Sequence, residues 1–375
     1  MGNLMEFLPY HPDQSPEIIK IWRQSVRDSS DIRSVYLGRE WCNIRHDIEH
    51  GVVLAAMREN NVAHEFITPL KEDREKIRIL GIGKRLRGYV NYGAGLLIPE
   101  TEQDYEKFFK EIFAKRGVKF FRCYLSTQDK LVKYLSNSKN DAWIVDKVEF
   151  KSRDYQWIDL RMGEEAYWGR FKKKQRYNLD RELKKIEQHG KINFERITHA
   201  EEIDHYVKIA LPLAKKSWQR QFVGRNVDLV DEVNISKILC EACNQNVMRS
   251  YLLSIGDEPV GYWTGFQINN IFCLYDTGYD QNFSQFSPGK VMLQLIIKDL
   301  FSFNCPNTLS FGVVPDDYPY KSWFCTDKAG EVEVLLFKNT LLNRVASRLR
   351  RMRSTLKSDR AKNPTSFPLV VDEEI

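Results

Sequence analysis

Several things are missing from this chain of 375 residues. No stretch approaches the ~18 consecutive apolar residues that a membrane-spanning helix needs. The first residues, MGNLMEFLPYHPDQ, lack a basic patch followed by an apolar run, so no signal peptide is expected. A start at Met1-Gly2 faintly suits myristoylation, but Glu6 stands where Ser or Thr belongs. Histidine is sparse, with seven residues, and none is placed with a Cys or Ser in the manner of a catalytic triad. The seven cysteines are odd in number and follow no framework spacing, which suits free thiols in a reducing compartment and predicts a cytoplasmic protein. Cys240 and Cys243 form a C-x-x-C, but no second pair follows at zinc spacing. They read as two small residues one turn apart on a helix, and no metal is expected. No low-complexity linker interrupts the chain.

Positive charge is also missing from most of the chain, although the net charge is +6. Residues 338–362 hold nine Lys/Arg against one acid, Asp359, and the last thirteen residues end on Asp372, Glu373 and Glu374. The body therefore carries almost no net charge, which argues against a nucleic-acid partner. In the basic stretch Leu341, Val345, Leu349, Met352 and Leu356 recur at helical spacing. This basic amphipathic helix either closes the domain before it or lies against an anionic membrane.

What is present is a pattern that occurs twice: hairpin, strand, helix, strand. The first occurrence uses GVVLAAMRE, VAHEFITPL, GYVNYGAGLLI, the helix TEQDYEKFFKEIFAKRG and VKFFRCYL. The second opens with the strand YQWIDL and the long helix EAYWGRFKKKQRYNLDRELKKIEQHG. It continues through a three-stranded meander from Arg249 to Asp280, turning at Gly256-Asp257 and Asn269-Asn270. The spacing predicts an α/β protein of two similar domains, 1–151 and 152–337, followed by the basic segment 338–375.

The helix after the meander begins Ser287-Pro288-Gly289-Lys290. Ser287 suits an N-cap and Pro288 the first helical position. Gly289 lets a ligand approach the backbone, and Lys290 adds charge at the positive end of the helix. Such a start favours a phosphate or diphosphate, although Ser-Pro also opens helices that bind nothing. The matching helix of the first half begins among Glu100, Glu102, Asp104 and Glu106, which would repel the same anion.

The meander, GYDQNF, SPGK and YPYKSWF together resemble the GNAT acyl-CoA N-acyltransferase superfamily. The resemblance is to acetyltransferases of the cellulose-biosynthesis (CelD/BcsL) type, which share a basic helix like FKKKQRYNLDRELKKIEQHG. It covers residues 155–337 best. The paired architecture is similar to Fem-type transferases, with two GNAT-like domains. The resemblance implies a mixed sheet with helices on both faces and an acyl-CoA co-substrate, acetyl-CoA or longer. Its diphosphate would lie at residues 285–291: Gln285, Phe286, Ser287, Pro288, Gly289, Lys290 and Val291. That loop keeps only part of the family signature, Arg/Gln-x-x-Gly-x-Gly/Ala.

Acyl transfer to an amine needs a base and a proton donor for the leaving thiolate. Asp276 and Asp280, at a strand end, are candidates for the base, with a strand-end carboxylate and a turn former as the alternatives. Tyr320, beside Lys321, matches the Tyr-Lys element of the resemblance and is the candidate acid, against ordinary packing. Tyr318 and Trp218 are candidates for the acceptor site. Arg176 and Arg181 either hold a phosphorylated acceptor or simply face water. The acceptor is expected to be an amino sugar or similar amine, nucleotide- or lipid-linked, in surface-polysaccharide synthesis. A Fem-type transfer from aminoacyl-tRNA and a non-catalytic partner of a membrane synthase are the alternatives.

Overall fold

A computed structural model describes residues 4–348, apart from 30, 47–50, 60–62, 80–81, 92–94, 100, 138–139, 218–230, 316–318 and 346. Twelve strands form a single mixed sheet. In the first half they are β1 (Leu4–Pro9), β2 (Val52–Glu59), β3 (Ala63–Ile79), β4 (Ile82–Asn91), β5 (Val118–Ser126) and β6 (Trp143–Asp159). In the second they are β7 (Ile192–Ile197), β8 (Ser250–Ile255), β9 (Glu258–Ile268), β10 (Ile271–Tyr279), β11 (Thr308–Pro315) and β12 (Asp327–Lys338). The helices are α1 (Pro16–Asp28), α2 (Arg39–Arg45), α3 (Glu102–Ala114), α4 (Lys130–Asn137), α5 (Glu164–Gly169) and α6 (Lys173–His189), then α7 (Ile203–Lys216), α8 (Glu232–Asn244), α9 (Pro288–Ser302) and α10 (Pro319–Phe324).

The strand order, β1-β2-β3-β4-β5-β12-β6-β11-β10-β9-β8-β7, contains the same arrangement twice in opposite directions. Each half runs four antiparallel strands and then one parallel pair, β4 with β5 and β10 with β11. Each half then receives its last strand from the other: β12 pairs with β5, and β6 pairs with β11. The two exchanged strands pair with each other at the centre, from Asp327 opposite Trp157 to Lys338 opposite Trp143. AWIVDKVEF and YQWIDL, which read as two strands, are thus one continuous strand of 17 residues passing through position 152.

The core follows this exchange. One cluster joins Trp22, Trp41 and Leu54 of the first half to Tyr206, Ile238, Tyr262 and Phe266 of the second. A second lies under α3 and includes Val332, Val334 and Leu336 of β12. A third packs α9 and Phe171 on the sheet around Trp263 and Phe311. The meander turns where expected, and Asn269 and Asn270 adopt φ of 48° and 62°, as a tight hairpin requires.

One local expectation is corrected. The long basic helix is broken into α5 and α6. Phe171 between them enters the core, and the Gln175 side chain accepts from the Lys172 N–H at 2.8 Å to restart the helix. The charged stretch from Lys71 to Arg87 belongs to the long β3–β4 hairpin.

Arg249 ties the meander to the end of α9. Its guanidinium, 3% exposed, donates to Tyr251 Oη, Gln267 Oε1, Asp299 Oδ2 and the carbonyls of Phe303 and Asn304. Replacing Arg249 with Met should destabilise the protein by about 3 kcal/mol, because these buried acceptors lose their donor while Asp299 keeps Arg196. Urea unfolding would show it, and a loss below ~1 kcal/mol would contradict this account.

Candidate active site

The parallel pair β10–β11 is joined only at its start, with Ile271, Phe272 and Cys273 opposite Thr308, Leu309 and Ser310. Beyond that point β10 stays with β9, with a bulge between Leu274 and Asp276. β11 stays with β6 and slips between Ser310 and Gly312, where Gly312 has φ of 69°. The strands therefore part, and residues 274–279 and 311–315 border a gap. Bulges of this kind commonly end pairing beside active sites.

At the foot of the gap three hydroxyls meet. Ser310 Oγ lies 2.9 Å from Tyr36 Oη and 2.6 Å from Tyr155 Oη, and accepts from the Gly312 N–H. Tyr36 comes from the 3-10 turn Ile32–Leu37 of the first half and Tyr155 from β6. Burial holds both phenols well above their ordinary pKa, so they remain neutral hydrogen-bond donors. Burial also pushes the neighbouring Cys273 thiol up to about 12, which leaves it a poor nucleophile.

At the mouth, α9 begins after the 3-10 turn Gln281–Phe286. Ser287 holds the N-cap position but not the expected cap. It is left-handed, with φ of 54° and ψ of 47°, and its side chain caps nothing. A capping hydroxyl requires extended backbone at that residue. The Ser287 carbonyl instead accepts from the N–H groups of Lys290 and Val291. The Gly289 N–H has no acceptor among the described residues and remains open to a ligand. Lys290 is less available than the sequence suggests: its ammonium pairs with Glu182 of α6 at 3.2 Å and lies 5.0 Å from the Trp323 ring centre. Gln285 is exposed, Phe286 packs on His189 with ring centres 4.7 Å apart, and Pro288 and Val291 are buried.

Helix α10 lies over this mouth. The Tyr320 hydroxyl is 3.7 Å from where a Cβ on Gly289 would stand, and Lys321 Nζ is 5.9 Å from the Trp263 ring centre. Trp263 is buried, and its indole N–H has no partner. Such an orphaned donor beside a gap is a candidate contact for a ligand carbonyl.

The two carboxylates have different surroundings. Asp276 accepts from Tyr262 Oη at 3.1 Å on the side of the sheet covered by α7, and Gly278 makes room for that ring. A Cβ at Gly278 would stand 2.7 Å from Tyr262 Cε1. Asp280 is buried and committed: it accepts from Lys216 Nζ at 2.9 Å and caps the 3-10 turn through the Asn282 N–H. The Lys216 ammonium holds its carboxyl below the usual range, which makes it a weak base. Arg176 and Arg181 stand exposed on α6 without an ion pair among the described residues. Trp218 and Tyr318 lie outside the described residues. Sequence reasoning missed Tyr36, Tyr155, Tyr262, Trp263 and Ser310. Only the paired glycines around Tyr262-Trp263, in GYWTG, hinted at close packing there.

The equivalent gap in the first half is closed. Strand β4 ends at Asn91, whose side chain bridges to β5 by accepting from the Tyr124 N–H at 3.1 Å and donating to its carbonyl at 3.2 Å. The Gly95 N–H also donates to that carbonyl. Helix α3 is capped by Thr101 and carries Glu102 and Asp104 in its first turn; Glu100 lies outside the described residues.

A mixed sheet with one parallel pair in each half, packed against helices, is a tandem GNAT-like α/β fold. The comparisons agree. Residues 173–322 match the family model described as an acetyltransferase (GNAT) domain. No curated protein matches the chain. Among solved structures, a conserved protein of unknown function from Bacteroides thetaiotaomicron shares 9% identity, with 89% of this chain and 100% of that one aligned at a TM-score of 0.56. FemX shares 10% identity over 91% of this chain and 98% of its own, with a TM-score of 0.59. The C-terminal domain of a putative lysylphosphatidylglycerol synthetase from Agrobacterium fabrum shares 11% identity over 91% and 96%, with a TM-score of 0.50. At these identities the likeness is one of fold.

The Lys216–Asp280 pair predicts a pH-dependent stability. A lowered carboxyl pKa stabilises the folded state above the unfolded value of ~3.9, and the contribution is lost as pH falls through the folded value. Asp280→Asn should therefore cost about 1 kcal/mol at pH 7, since Lys216 is largely exposed, and much less near pH 3. Equal costs at both pH values, read by urea unfolding, would refute it.

Proposed function

We propose that the second half transfers an acyl group from an acyl-CoA to an amine. The observation that carries this reading is the gap between β10 and β11, with the free Gly289 N–H at its mouth and the unpaired Trp263 indole N–H beside it. The pantetheine arm would lie in the gap, and the diphosphate would lie at the start of α9. The acceptor nitrogen attacks the thioester carbonyl, the carbon–sulfur bond breaks, and the nitrogen loses its proton to a base. Asp276, set by Tyr262, is the better placed carboxylate, because Asp280 is held by Lys216. The acceptor is an amino sugar or a similar amine in surface-polysaccharide synthesis. The uncommitted guanidinium groups of Arg176 and Arg181 suit a phosphate carried by a nucleotide- or lipid-linked form of it.

Tyr320 has two possible tasks, and its position distinguishes them. Its hydroxyl stands at Gly289, the diphosphate end of the gap, so the geometry favours a bond to phosphate over proton donation to the thiolate. Tyr320→Phe should then raise the KM for acyl-CoA about tenfold with little change in kcat. A large fall in kcat at unchanged KM would make Tyr320 the acid instead.

The deciding experiment is calorimetric titration with coenzyme A, acetyl-CoA and longer acyl-CoAs. One molecule should bind per chain, because Asn91 and Gly95 close the first gap. Gly289→Glu should abolish binding and leave the melting temperature intact, since a Cβ there meets nothing closer than 3.7 Å. Unchanged affinity in that variant, or no affinity in the parent, would remove acyl-CoA from the reading.

A further inference from the structure

Residues 341–345, 347 and 348 begin a helix directly after β12. Its buried side is polar: Asn343 and Ser347 are 6% and 3% exposed, and Asn343 Nδ2 donates to the Lys338 carbonyl. Its apolar residues face outward, with Leu341 79%, Leu342 53% and Val345 44% exposed. The helix therefore packs on the body through its polar residues, the reverse of an ordinary surface helix, and its apolar face is not used by the core. Arg344 and Arg348 are exposed beside this face. Both line an open groove against α4 and β6, into which the buried Trp143 also faces, and its indole N–H has no partner. Among the described residues of the groove wall, Asp141 is the one carboxylate. Downstream the sequence adds Arg350, Arg351, Arg353, Lys357, Arg360 and Lys362 before the acidic end.

We propose that this helix docks the protein on an anionic phospholipid surface. Leu341, Leu342 and Val345 enter the interface between headgroups and acyl chains. Arg344 and Arg348, on the wall of the groove beside Trp143, meet lipid phosphates. Outward apolar residues combined with flanking cations match such a surface in both respects, whereas free phosphate would satisfy only the cations. The proposal stands apart from the acyl-transfer reading, and either can fail without the other.

The test is flotation of the full-length protein with vesicles of phosphatidylglycerol and phosphatidylcholine, against phosphatidylcholine alone, with circular dichroism and melting temperature as folding controls. The parent should float with the anionic vesicles only. The triple variant Leu341→Ser, Leu342→Ser, Val345→Ser should lose flotation at 0.15 M salt. Arg344→Gln with Arg348→Gln should bind about 30-fold more weakly, each basic residue near the surface being worth about 1 kcal/mol. A parent that stays in solution overturns the proposal. So does a serine variant that floats like the parent, or a parent stabilised by inorganic phosphate but indifferent to vesicles.

Discussion

The antiparallel pairing of β6 with β12 is the contact on which the rest of the molecule depends. Each strand belongs by sequence to one half and by hydrogen bonding to the other. Because β6 supplies the outer partner of β11, it fixes the line along which β11 leaves β10, and so it opens the gap. Because β12 covers β5, its valines and leucines complete the core under α3. Neither half has a full sheet without the strand lent by its neighbour. The first half is therefore a structural part of the candidate site, and Tyr36 at the foot of the gap is the clearest sign of it.

Two copies of one topology are used in opposite ways. In the second half the strands part after Cys273 and Ser310, and the helix at the mouth offers a free N–H. In the first half an asparagine side chain and a glycine N–H occupy the corresponding strand edge, while acidic residues neutralise the helix end. The difference lies in a few side chains and one loop; the strand order is the same. Such a difference follows from the cost of leaving backbone groups unpaired. A gap without a ligand is filled by the protein itself, and one left open is open for something.

The electrostatics of the mouth are more restrained than SPGK alone suggests. Glu182 takes up the Lys290 charge, and Lys216 takes up that of Asp280. What the start of α9 itself presents is directional, the Gly289 N–H, with little net charge. Cationic side chains stand exposed on α6 and at the start of the C-terminal helix.

Much of the fold was legible in the sequence. The meander and its Asn-Asn turn, the helix opening at Pro288, and the contrast between Ser-Pro-Gly-Lys and its acidic counterpart are all local. Turn chemistry and helix-end charge act over a few residues, so the sequence by itself determines them. It also determined that Leu341 and Val345 share a helix face with space for arginines beside them. Only the tertiary structure decided where those faces point and which strand lies beside which. The exchange of β6 and β12, the meeting of Tyr36, Tyr155 and Ser310, and the left-handed Ser287 depend on residues far apart in sequence or on a bend imposed by neighbouring packing. Periodicity reports that a strand has a buried face; it carries no information about which partner buries it. For that reason a candidate site could be named from Ser287-Pro288-Gly289-Lys290, while the residues at the foot of the gap could be found only once the sheet had closed around them.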